Sequence, residues 1–172
     1  AGDIANCEVG DGHMATARVL DNIPGTVFTM GDHAYPKGSQ KSFEECYGLS
    51  WGRHKARTRP SVGNHDIKTR NGAPYYEYFG AAAGPRGLGY YSYDIGGWHV
   101  IALNSNLHGN AGSPQHAWAR ADLASTRAAC IIALWHHPRF SSGPSGGDTT
   151  MKDVWRLLQE SGAELVLTPR EG

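Results

Sequence analysis

Two short polar runs carry most of the chemistry that this sequence could perform. Residues 31–35 read Gly-Asp-His-Ala-Tyr, and residues 63–66 read Gly-Asn-His-Asp. Each run follows a segment typical of a short buried strand, residues 26–30 and residues 59–62. In an open α/β sheet, ligands bind beyond the carboxyl ends of the strands. Both runs are therefore expected at one sheet edge, where their oxygen and nitrogen donors would gather.

Two further strand ends would add donors to the same edge. Asp3 stands close to the start of the sequence, and His136 and His137 follow the continuous apolar run 130–135. Carboxylate, amide oxygen and imidazole donors together suit Zn, Mn or Fe, and a phenolate such as that of Tyr35 is a good ligand of ferric iron. One carboxylate can bridge two metal ions, and two metal ions can clamp both oxygens of a phosphoryl displacement. The donor set therefore predicts a hydrolytic metal centre.

His65 is suited to a role beside the metal ions. It is adjacent to the amide donor Asn64, so its ring could lie near a substrate without binding metal. We expect Asp66 to hydrogen-bond the His65 ring and keep it protonated, as a general acid requires. His33 is expected to support the site without binding metal, with an extra metal donor as the alternative reading.

The rest of the pattern alternates apolar runs with helix-like segments and predicts an α/β fold. A hairpin is expected over residues 90–104, because Gly96 and Gly97 form a good two-residue turn. Residues 67–89, rich in Gly, Pro and Tyr, are read as a long loop with one helical turn, and the Ser/Gly-rich segment 141–148 is expected to be mobile. Helices are expected at 14–21, 40–47, 114–124 and 149–161, and further strands at 130–135 and 164–168.

Composition excludes several classes of protein. The chain has 172 residues, 40% of them hydrophobic, enough for the core of one domain. Its 16 basic and 16 acidic residues give a formal net charge of zero, so neither nucleic acid nor a membrane surface is an expected partner. No apolar run approaches the roughly 18 residues of a membrane span. The basic stretch 53–59 is either a solvated face or a contact for an anionic ligand.

The three cysteines, Cys7, Cys46 and Cys130, are too few and too scattered for a disulfide framework or a zinc knuckle. Cys130 opens an apolar run and is expected to be a buried thiol. Cys7 and Cys46 could pair in an oxidising compartment, and the sequence leaves that pairing open.

The metal-type motifs, in their order along the chain, resemble those of the calcineurin-type metallophosphoesterases, and more narrowly of their purple acid phosphatase-like branch. The similarity extends between the motifs, through Tyr-Gly-Leu-Ser-Trp-Gly-Arg at 47–53, Gly-Tyr-Tyr-Ser-Tyr-Asp at 89–94, Trp-His-Val-Ile-Ala-Leu-Asn-Ser at 98–105, Trp-His-His-Pro at 135–138 and Phe-Ser-Ser-Gly at 140–143. The resemblance implies a single domain over residues 1–172. It also implies a sandwich of two β-sheets with helices on both outer faces, in the layer order αββα.

The resemblance also implies a mechanism, in which a metal-bound hydroxide attacks small phosphate esters. Phosphomonoesters are the expected substrates, and phosphodiesters are a wider class. Asp32 would bridge the two metal ions, His65 would protonate the leaving group or position the phosphate, and His137 would face the substrate or support the site. The implied metal ligands are Asp3, Asp32, Tyr35, Asn64 and His136.

The chain departs from the family pattern at both ends. The family completes its metal site with Gly-His-x-His after a strand like 164–168, whereas this sequence continues with Thr168 and Pro169 and has no histidine after His137. The strand that normally precedes Asp3 is cut short. The chain is therefore a truncated or recombined piece, a sequence with residues absent, or a shortened variant that fills open metal positions with water, Glu171 or a neighbouring chain.

Two functions stay open at this stage. One is metal-dependent phosphoester hydrolysis, and the other is a truncated or degenerate relative that binds metal or a phosphate ligand with little or no turnover. The purple acid phosphatase branch is often secreted, so a secreted or periplasmic location is favoured over the cytoplasm. An exposed final strand edge would favour dimerisation.

Overall fold

The structure is a computed structural model that describes residues 1–143 and 146–169. Its described strands form two sheets. The first sheet holds two parallel strands, and the second holds four in the order β3-β4-β5-β6, in which only β3 and β4 are antiparallel. The strands are β1 (Val27–Met30), β2 (Thr58–Ser61), β3 (Tyr91–Ile95), β4 (Trp98–Ala102), β5 (Cys130–Leu134) and β6 (Leu165–Leu167).

Helices cover the outer faces of both sheets. Short 3₁₀ segments at Trp51–Arg57, Arg70–Gly72 and Gly80–Ala83 connect the elements on the side of the first sheet, and a π-helical segment, Phe43–Tyr47, directly continues α2. The α-helices are α1 (Gly12–Leu20), α2 (Gln40–Ser42), α3 (Ala73–Phe79), α4 (Pro114–Ser125) and α5 (Lys152–Glu160).

The apolar residues form three clusters that define four layers. The middle cluster lies between the sheets, where Phe28 of β1 packs against Val100, Ile132 and Leu134 of the second sheet. A second cluster joins the outer face of the first sheet to α1, the π segment and α3. The third joins the outer face of the second sheet to α4 and α5. The predicted αββα order is therefore confirmed.

Most predicted elements lie within one to three residues of the observed bounds. The hairpin turns at Gly96 and Gly97, both with positive φ as the turn requires. Helix α4 begins as its sequence predicts, because the Ser113 hydroxyl accepts the backbone N–H of His116 at 3.2 Å and Pro114 occupies the first turn. In the segment 141–148, residues 144 and 145 lie outside the described part, so its mobility stays a prediction.

The segment 67–89, expected to be a long loop with one helical turn, holds more helix than that, because α3 occupies its centre. Helix α3 spans Ala73–Phe79 with a proline in its first turn, and its buried Tyr75, Tyr76 and Phe79 follow helical spacing. Glycine and proline at both ends of this segment suggested a loop, whereas the aromatic side chains supply enough buried surface to fix a two-turn helix. These aromatics pack the segment down, as expected.

The basic stretch 53–59 serves the fold. Arg53 pairs with Asp21 at 2.7 Å, just past the end of α1. The guanidinium of Arg57 donates to the carbonyls of Leu20, Ile23 and Gly25, at 2.7–2.8 Å, and so satisfies carbonyls at and beyond the helix end that have no helical partner. These contacts give Arg53 and Arg57 a role in holding the end of α1, which neither of the two readings of this stretch included.

Two of the three cysteines form a disulfide, and the third is free. Cys7 and Cys46 form a disulfide that joins the N-terminal loop to the π segment. Cys130 is a free cysteine that is only partly buried, because it stands at the first position of β5 rather than inside it. The expectation of a fully buried thiol is therefore wrong.

The edges of the sheets carry two features relevant to the site. Residues 1–5 run beside β1 and its continuation, with Asp3 N–H donating to the Gly31 carbonyl at 3.1 Å. At the far edge of the second sheet, Leu165 and Leu167 of β6 stay 44% and 38% exposed. Within the described residues, no helix is long and apolar enough to cross a membrane.

Candidate metal centre

The carboxyl ends of three strands bring the predicted donors together at one edge. Asp32 follows β1, Asn64 follows β2, and His136 follows β5. Asp3 reaches the same edge because the N-terminal residues pair with the chain that leaves β1, where Ile4 N–H donates to the Asp32 carbonyl at 2.9 Å. Side chains that are far apart in the sequence therefore meet where an α/β sheet usually binds its ligands.

Five side chains form a connected cluster centred on Asp32. The Tyr35 hydroxyl lies 2.5 Å from Asp3 Oδ1 and 2.9 Å from Asp32 Oδ2. His136 Nε2 lies 3.0 Å from Asn64 Oδ1 and 3.4 Å from Asp32 Oδ2. One ligand atom from each of Asp3, Asp32 and His136 lies within 4.8 Å of the others. The structure thus brings together all five residues for which the family resemblance implies a metal ligand.

The backbone is under strain at both aspartates of the cluster. Asp3 and Asp32 have φ values of 55° and 54°, in the left-handed region, which Asp visits more readily than most residues. Such strain clusters at functional sites, where surrounding contacts hold it. Here the contact is backbone pairing between residues 1–5 and residues 30–35.

Glycines on either side of Asp32 permit close approach of the strand ends. A Cβ at Gly63 would lie 2.2 Å from Asp32 N and from Asp32 Oδ1, and a Cβ at Gly31 would lie 2.6 Å from His136 Nδ1. No side chain larger than hydrogen fits at either position without moving a cluster residue. The glycine that opens each motif is therefore explained by packing around Asp32.

Asp32 is held as an anion although it is 2% exposed. Burial alone would raise its pKa, but the hydrogen bond and charge of His136, the His65 backbone N–H and the Tyr35 hydroxyl lower the pKa to about 2. The same contacts act on His136, where burial lowers the pKa but Asp32 outweighs it and raises the pKa.

Neighbouring groups determine whether the Tyr35 hydroxyl is protonated and which ring nitrogen of His136 carries a proton. Burial, followed by hydrogen bonding to Asp3 and the negative charge of Asp32, raises the pKa of the Tyr35 hydroxyl, so this phenol stays protonated unless a cation offsets the carboxylates. His136 Nδ1 faces the Met30 carbonyl at 2.8 Å, which favours a proton on Nδ1. Its Nε2 is then directed at the cluster.

His65 lies beside this cluster, as the sequence predicts. Its backbone N–H donates to Asp32 Oδ1 at 2.8 Å, and its ring lies 4.5 Å from the Tyr35 ring, centroid to centroid. Nδ1 lies 2.6 Å from the Pro36 carbonyl and Nε2 lies 2.8 Å from Lys68 Nζ. The Pro36 contact fixes the proton on Nδ1, so Lys68 donates to Nε2.

The expected hydrogen bond from Asp66 to His65 is wrong. Asp66 is fully buried, and its carboxylate accepts the backbone N–H groups of Asp32, His33 and Gly63, at 2.9–3.0 Å. It also lies 2.9 Å from His33 Nδ1. The backbone after Asn64 turns the Asp66 side chain inward, toward the donors of the Asp32 turn, instead of toward the neighbouring ring.

Asp66 contacts the ring of His33, a pairing that the sequence did not predict. Its Nδ1 faces Asp66, its Nε2 lies 2.7 Å from the Thr29 hydroxyl, and its ring is packed among buried aromatics such as Phe79. It supports the turn after β1 without touching the cluster, as expected of it.

His137 is held next to the cluster by a residue that sequence reasoning also missed. Its backbone N–H donates to Ser105 Oγ at 2.9 Å, and its Nδ1 lies 2.8 Å from the same oxygen. Its ring lies edge-on to His136 at 4.9 Å. Burial and the charge of His136 lower the pKa of His137, so a neutral ring is favoured.

The donor set fits divalent and trivalent metal ions. Two carboxylates, a phenol, an amide oxygen and an imidazole match the ligand preferences of Zn, Mn and Fe. Strand β6 also ends at this edge, because Pro169 packs against Gly2, where an added Cβ would meet Pro169 Cβ at 2.6 Å. Glu171, an expected substitute donor, lies outside the described residues.

Comparison with known proteins gives related sequences. No protein-family model matches the chain. The chain is 28% identical to purple acid phosphatase 18 of Arabidopsis thaliana over 148 residues, which is 81% of this chain and 32% of the relative. It is 30% identical to purple acid phosphatase 23 of the same plant over 159 residues, 72% of this chain and 35% of the relative. The chain thus spans about a third of the length of these relatives.

Solved structures share the fold. Purple acid phosphatase PPD1 from yellow lupin (Lupinus luteus) seeds superposes with a TM-score of 0.78 at 20% identity, over 91% of this chain and 33% of that one. GAP50, the anchor in the inner membrane complex of Plasmodium, gives a TM-score of 0.65 at 14% identity, over 97% of this chain and 63% of that one. The matched sequences show that the chain is similar to part of the purple acid phosphatases, and the solved structures share its fold.

Proposed function

We propose that this chain binds two metal ions at the Asp32 cluster and uses them to hydrolyse phosphate esters. The observation that carries the proposal is that the Tyr35 hydroxyl lies within hydrogen-bond distance of both the Asp3 and the Asp32 carboxylates. Two carboxylates held on one phenol repel each other, and a cation between them would offset their charge. Its similarity to purple acid phosphatases supports the reaction class.

In this proposal Asp32 is shared between both metal positions. Asp3 and Tyr35 lie on its Oδ2 side together with His136, and Asn64 reaches His136 from the other strand end. Bound metal ions would polarise the phosphoryl group and lower the pKa of a water molecule. Fe, Zn and Mn all fit the donors, with iron favoured on the Tyr35 side because a phenolate suits ferric iron.

His65 would then act on the leaving group or on the phosphate. Its ring is stacked obliquely against Tyr35 and is partly exposed, so it borders the cluster on the solvent side. Nδ1 is committed to Pro36, which leaves Nε2 as the atom that can exchange a proton with a substrate. Lys68 Nζ now lies 2.8 Å from Nε2, so it would have to leave this atom before a substrate oxygen could take its place.

The substrate class we propose is small phosphomonoesters, with phosphodiesters as a wider class. The balanced charge of the chain and the structural use of its basic stretch offer no extended surface for nucleic acid. A secreted or periplasmic location accords with the Cys7–Cys46 disulfide, since such bonds persist in oxidising compartments.

A second function is favoured by one feature of the cluster. Within the described residues, five protein donors meet at Asp32, and two metal ions would have to share them. The alternative is therefore a protein that binds metal or a phosphate ligand and turns it over slowly or not at all.

Turnover of para-nitrophenyl phosphate by matched variants tests the proposal. In the chain reconstituted with iron and zinc or with manganese, Asp32→Asn is expected to lose metal and turnover together. His65→Ala should keep its metal and lose roughly 10²- to 10⁴-fold in turnover, the usual contribution of general acid–base catalysis. Asp11→Asn is the control, because its exposed carboxylate makes no side-chain cap bond at α1.

The outcomes separate the two functions. Turnover in the parent and in Asp11→Asn that vanishes in Asp32→Asn supports the phosphatase. Metal binding without turnover in the parent supports the binder. Turnover in Asp32→Asn equal to that of the parent would contradict the role proposed for this cluster.

A further inference from the structure

A second group of ligand-type side chains lies outside the Asp32 cluster. The ring nitrogen Nε2 of His13 lies 3.4 Å from Cys7 Sγ and 3.9 Å from Cys46 Sγ. His13 is 92% buried, with 8% of its surface exposed. Within the described residues, its ring nitrogens have no hydrogen-bond partner other than these two sulfurs. A disulfide sulfur is a weak acceptor, so this imidazole is buried with little compensation.

Three separate elements converge on this point. His13 is the second residue of α1, Cys7 lies in the loop before that helix, and Cys46 lies in the π-helical segment Phe43–Tyr47. The π segment is closed by the bond from Gly48 N–H to the Phe43 carbonyl at 2.7 Å. Such segments are rare and are frequent at functional sites. The three side chains are thus positioned by the fold rather than by closeness in sequence.

We propose that Cys7, Cys46 and His13 form a zinc site when the disulfide is reduced. Two thiolates and one imidazole are a ligand set typical of zinc, with a fourth position left for water or another oxygen donor. This inference does not rest on the proposed phosphatase function, because no residue is shared with the Asp32 cluster. It gives the N-terminal loop two alternative crosslinks, one covalent and one through metal.

The distances already approach those of a tetrahedral zinc site. With Zn–S of about 2.3 Å and Zn–N of about 2.0–2.1 Å, sulfur and nitrogen ligands stand about 3.6 Å apart and two sulfurs about 3.8 Å apart. The observed nitrogen–sulfur distances, 3.4 Å and 3.9 Å, bracket the first value. The two sulfurs need only separate after reduction, and Cys7 lies on an exposed loop where it can move.

Space for a fourth ligand adjoins the sulfurs. A cavity of about 400 Å³ is lined by Cys7 and Cys46 together with two acidic residues, Glu8 and Glu45, and two basic residues, Lys37 and Lys41. Water that enters this cavity can complete the coordination.

The chemical steps balance with a thiol reductant. Two electrons and two protons pass from a dithiol to the Cys7–Cys46 bond, which yields two thiols and leaves the dithiol oxidised to its disulfide. Zn²⁺ then displaces the two thiol protons, because the thiolate is the form that binds metal. In an oxidising compartment the disulfide persists, and the site stays closed to metal.

Cobalt(II) titration of the whole chain tests this site. The protein is reduced with a phosphine, which is removed under nitrogen, and Co²⁺ is added. We expect Co²⁺, added beyond the amount that the Asp32 cluster takes up, to give the intense near-ultraviolet absorption of a cobalt–thiolate bond, and an equal amount of Zn²⁺ to abolish it. The Asp32 cluster cannot give this absorption, because it contains no sulfur. The oxidised protein should not show it.

Matched variants assign the ligands. His13→Gln should weaken cobalt binding at this site at least tenfold, whereas His108→Gln, a change of an exposed imidazole, should leave it unchanged. Cys130→Ser, at the one free cysteine, should also leave the absorption unchanged. The oxidised His13→Gln protein must keep the circular dichroism of the parent, so that loss of binding is not loss of fold.

Three results would overturn the proposal. One is the absence of cobalt–thiolate absorption in the reduced protein. Another is an absorption that Cys130→Ser removes. The third is a folded His13→Gln variant that binds cobalt as tightly as the parent.

Discussion

At the scale of single residues, Asp32 determines how the site is built. It is buried, lies in a left-handed conformation, and keeps a pKa of about 2 because His136, His65 and Tyr35 all contact its carboxylate. Sequence alone predicts its position, since it directly follows a buried strand. The same reasoning correctly brings Asn64 and His136 to this edge, because parallel strands end on one side.

The hydrogen-bond partners of Asp66 could not be predicted from the sequence. Its neighbour in the chain is His65, but its partner in the fold is His33, together with the backbone N–H groups around Asp32. That partnership depends on the path of two turns that approach each other in space. No spacing rule within one motif could give it.

Replacement of Asp66 by asparagine tests its structural role. Asp66→Asn puts an amide NH₂ among four N–H donors, so we expect the free energy of unfolding to fall by about 3 kcal/mol, as for lost hydrogen bonds to a charged group. Urea unfolding measures the change, and Asp11→Asn, at an exposed carboxylate, should stay within about 0.5 kcal/mol of the parent. Loss of turnover at unchanged stability would instead give Asp66 a role in the chemistry.

At the scale of secondary structure, the spacing of apolar residues predicts a helix or strand well where the buried positions repeat with a single period. The run at β5 and the capped start of α4 are confirmed, since each combines an apolar pattern with a clear boundary signal. Only one helical turn was predicted where α3 lies, because the flanking Gly and Pro residues indicated a loop, while the stability of α3 comes from aromatic packing between elements. Contacts of this kind become visible only when the partners are known.

A polar link between elements on the second sheet makes a prediction about pH. His99 of β4 lies 2.7 Å from Asp94 of β3 and 2.8 Å from Asp122 of α4. Burial alone would lower the pKa of His99, but the hydrogen bonds and charges of Asp122 and Asp94 outweigh it and raise the pKa above 6.5. The link therefore contributes its full stability below the unfolded pKa of about 6.5, and loses it as the pH rises through the folded pKa.

Urea unfolding of a variant without this link measures the effect. The free energy of unfolding of the parent, minus that of His99→Gln, should be larger at about pH 5.5 than at about pH 8.5, because only the imidazole titrates between them. His108→Gln, at an exposed site, should give a difference that does not change with pH in this way. A His99→Gln difference that grew as the pH rose would contradict a raised pKa for His99 in the folded protein.

At the scale of the whole molecule, the order of the layers was predictable from the sequence. The contacts that hold the N-terminal segment against the rest of the fold were not. Alternating apolar runs, together with the family resemblance, are enough to predict an αββα sandwich. Residues 1–5 nevertheless hydrogen-bond along β1, and the Cys7–Cys46 bond joins their loop to the π segment. The sequence left that bond open because a pair of cysteines says nothing about distance until the fold is known.

Reduction of the disulfide should lower the stability of the whole fold. The bond closes a loop with a sequence separation of 39 residues, for which the loop-entropy relation gives about 4 kcal/mol. We expect the urea midpoint of the phosphine-reduced, metal-free protein to fall accordingly, and excess Zn²⁺ to raise it again if the reduced cysteines bind zinc. An unchanged midpoint on reduction would mean that the N-terminal loop unfolds independently of the core.

The central claim is that the Asp32 cluster binds metal, and elemental analysis of protein purified without added metal tests it most directly. Two metal ions per chain in the parent and in Asp11→Asn, with neither retained in Asp32→Asn, is the result we predict, since Asp32 is the carboxylate that both positions share. A parent chain that carries no metal, or an Asp32→Asn variant that carries as much as the parent, would contradict it.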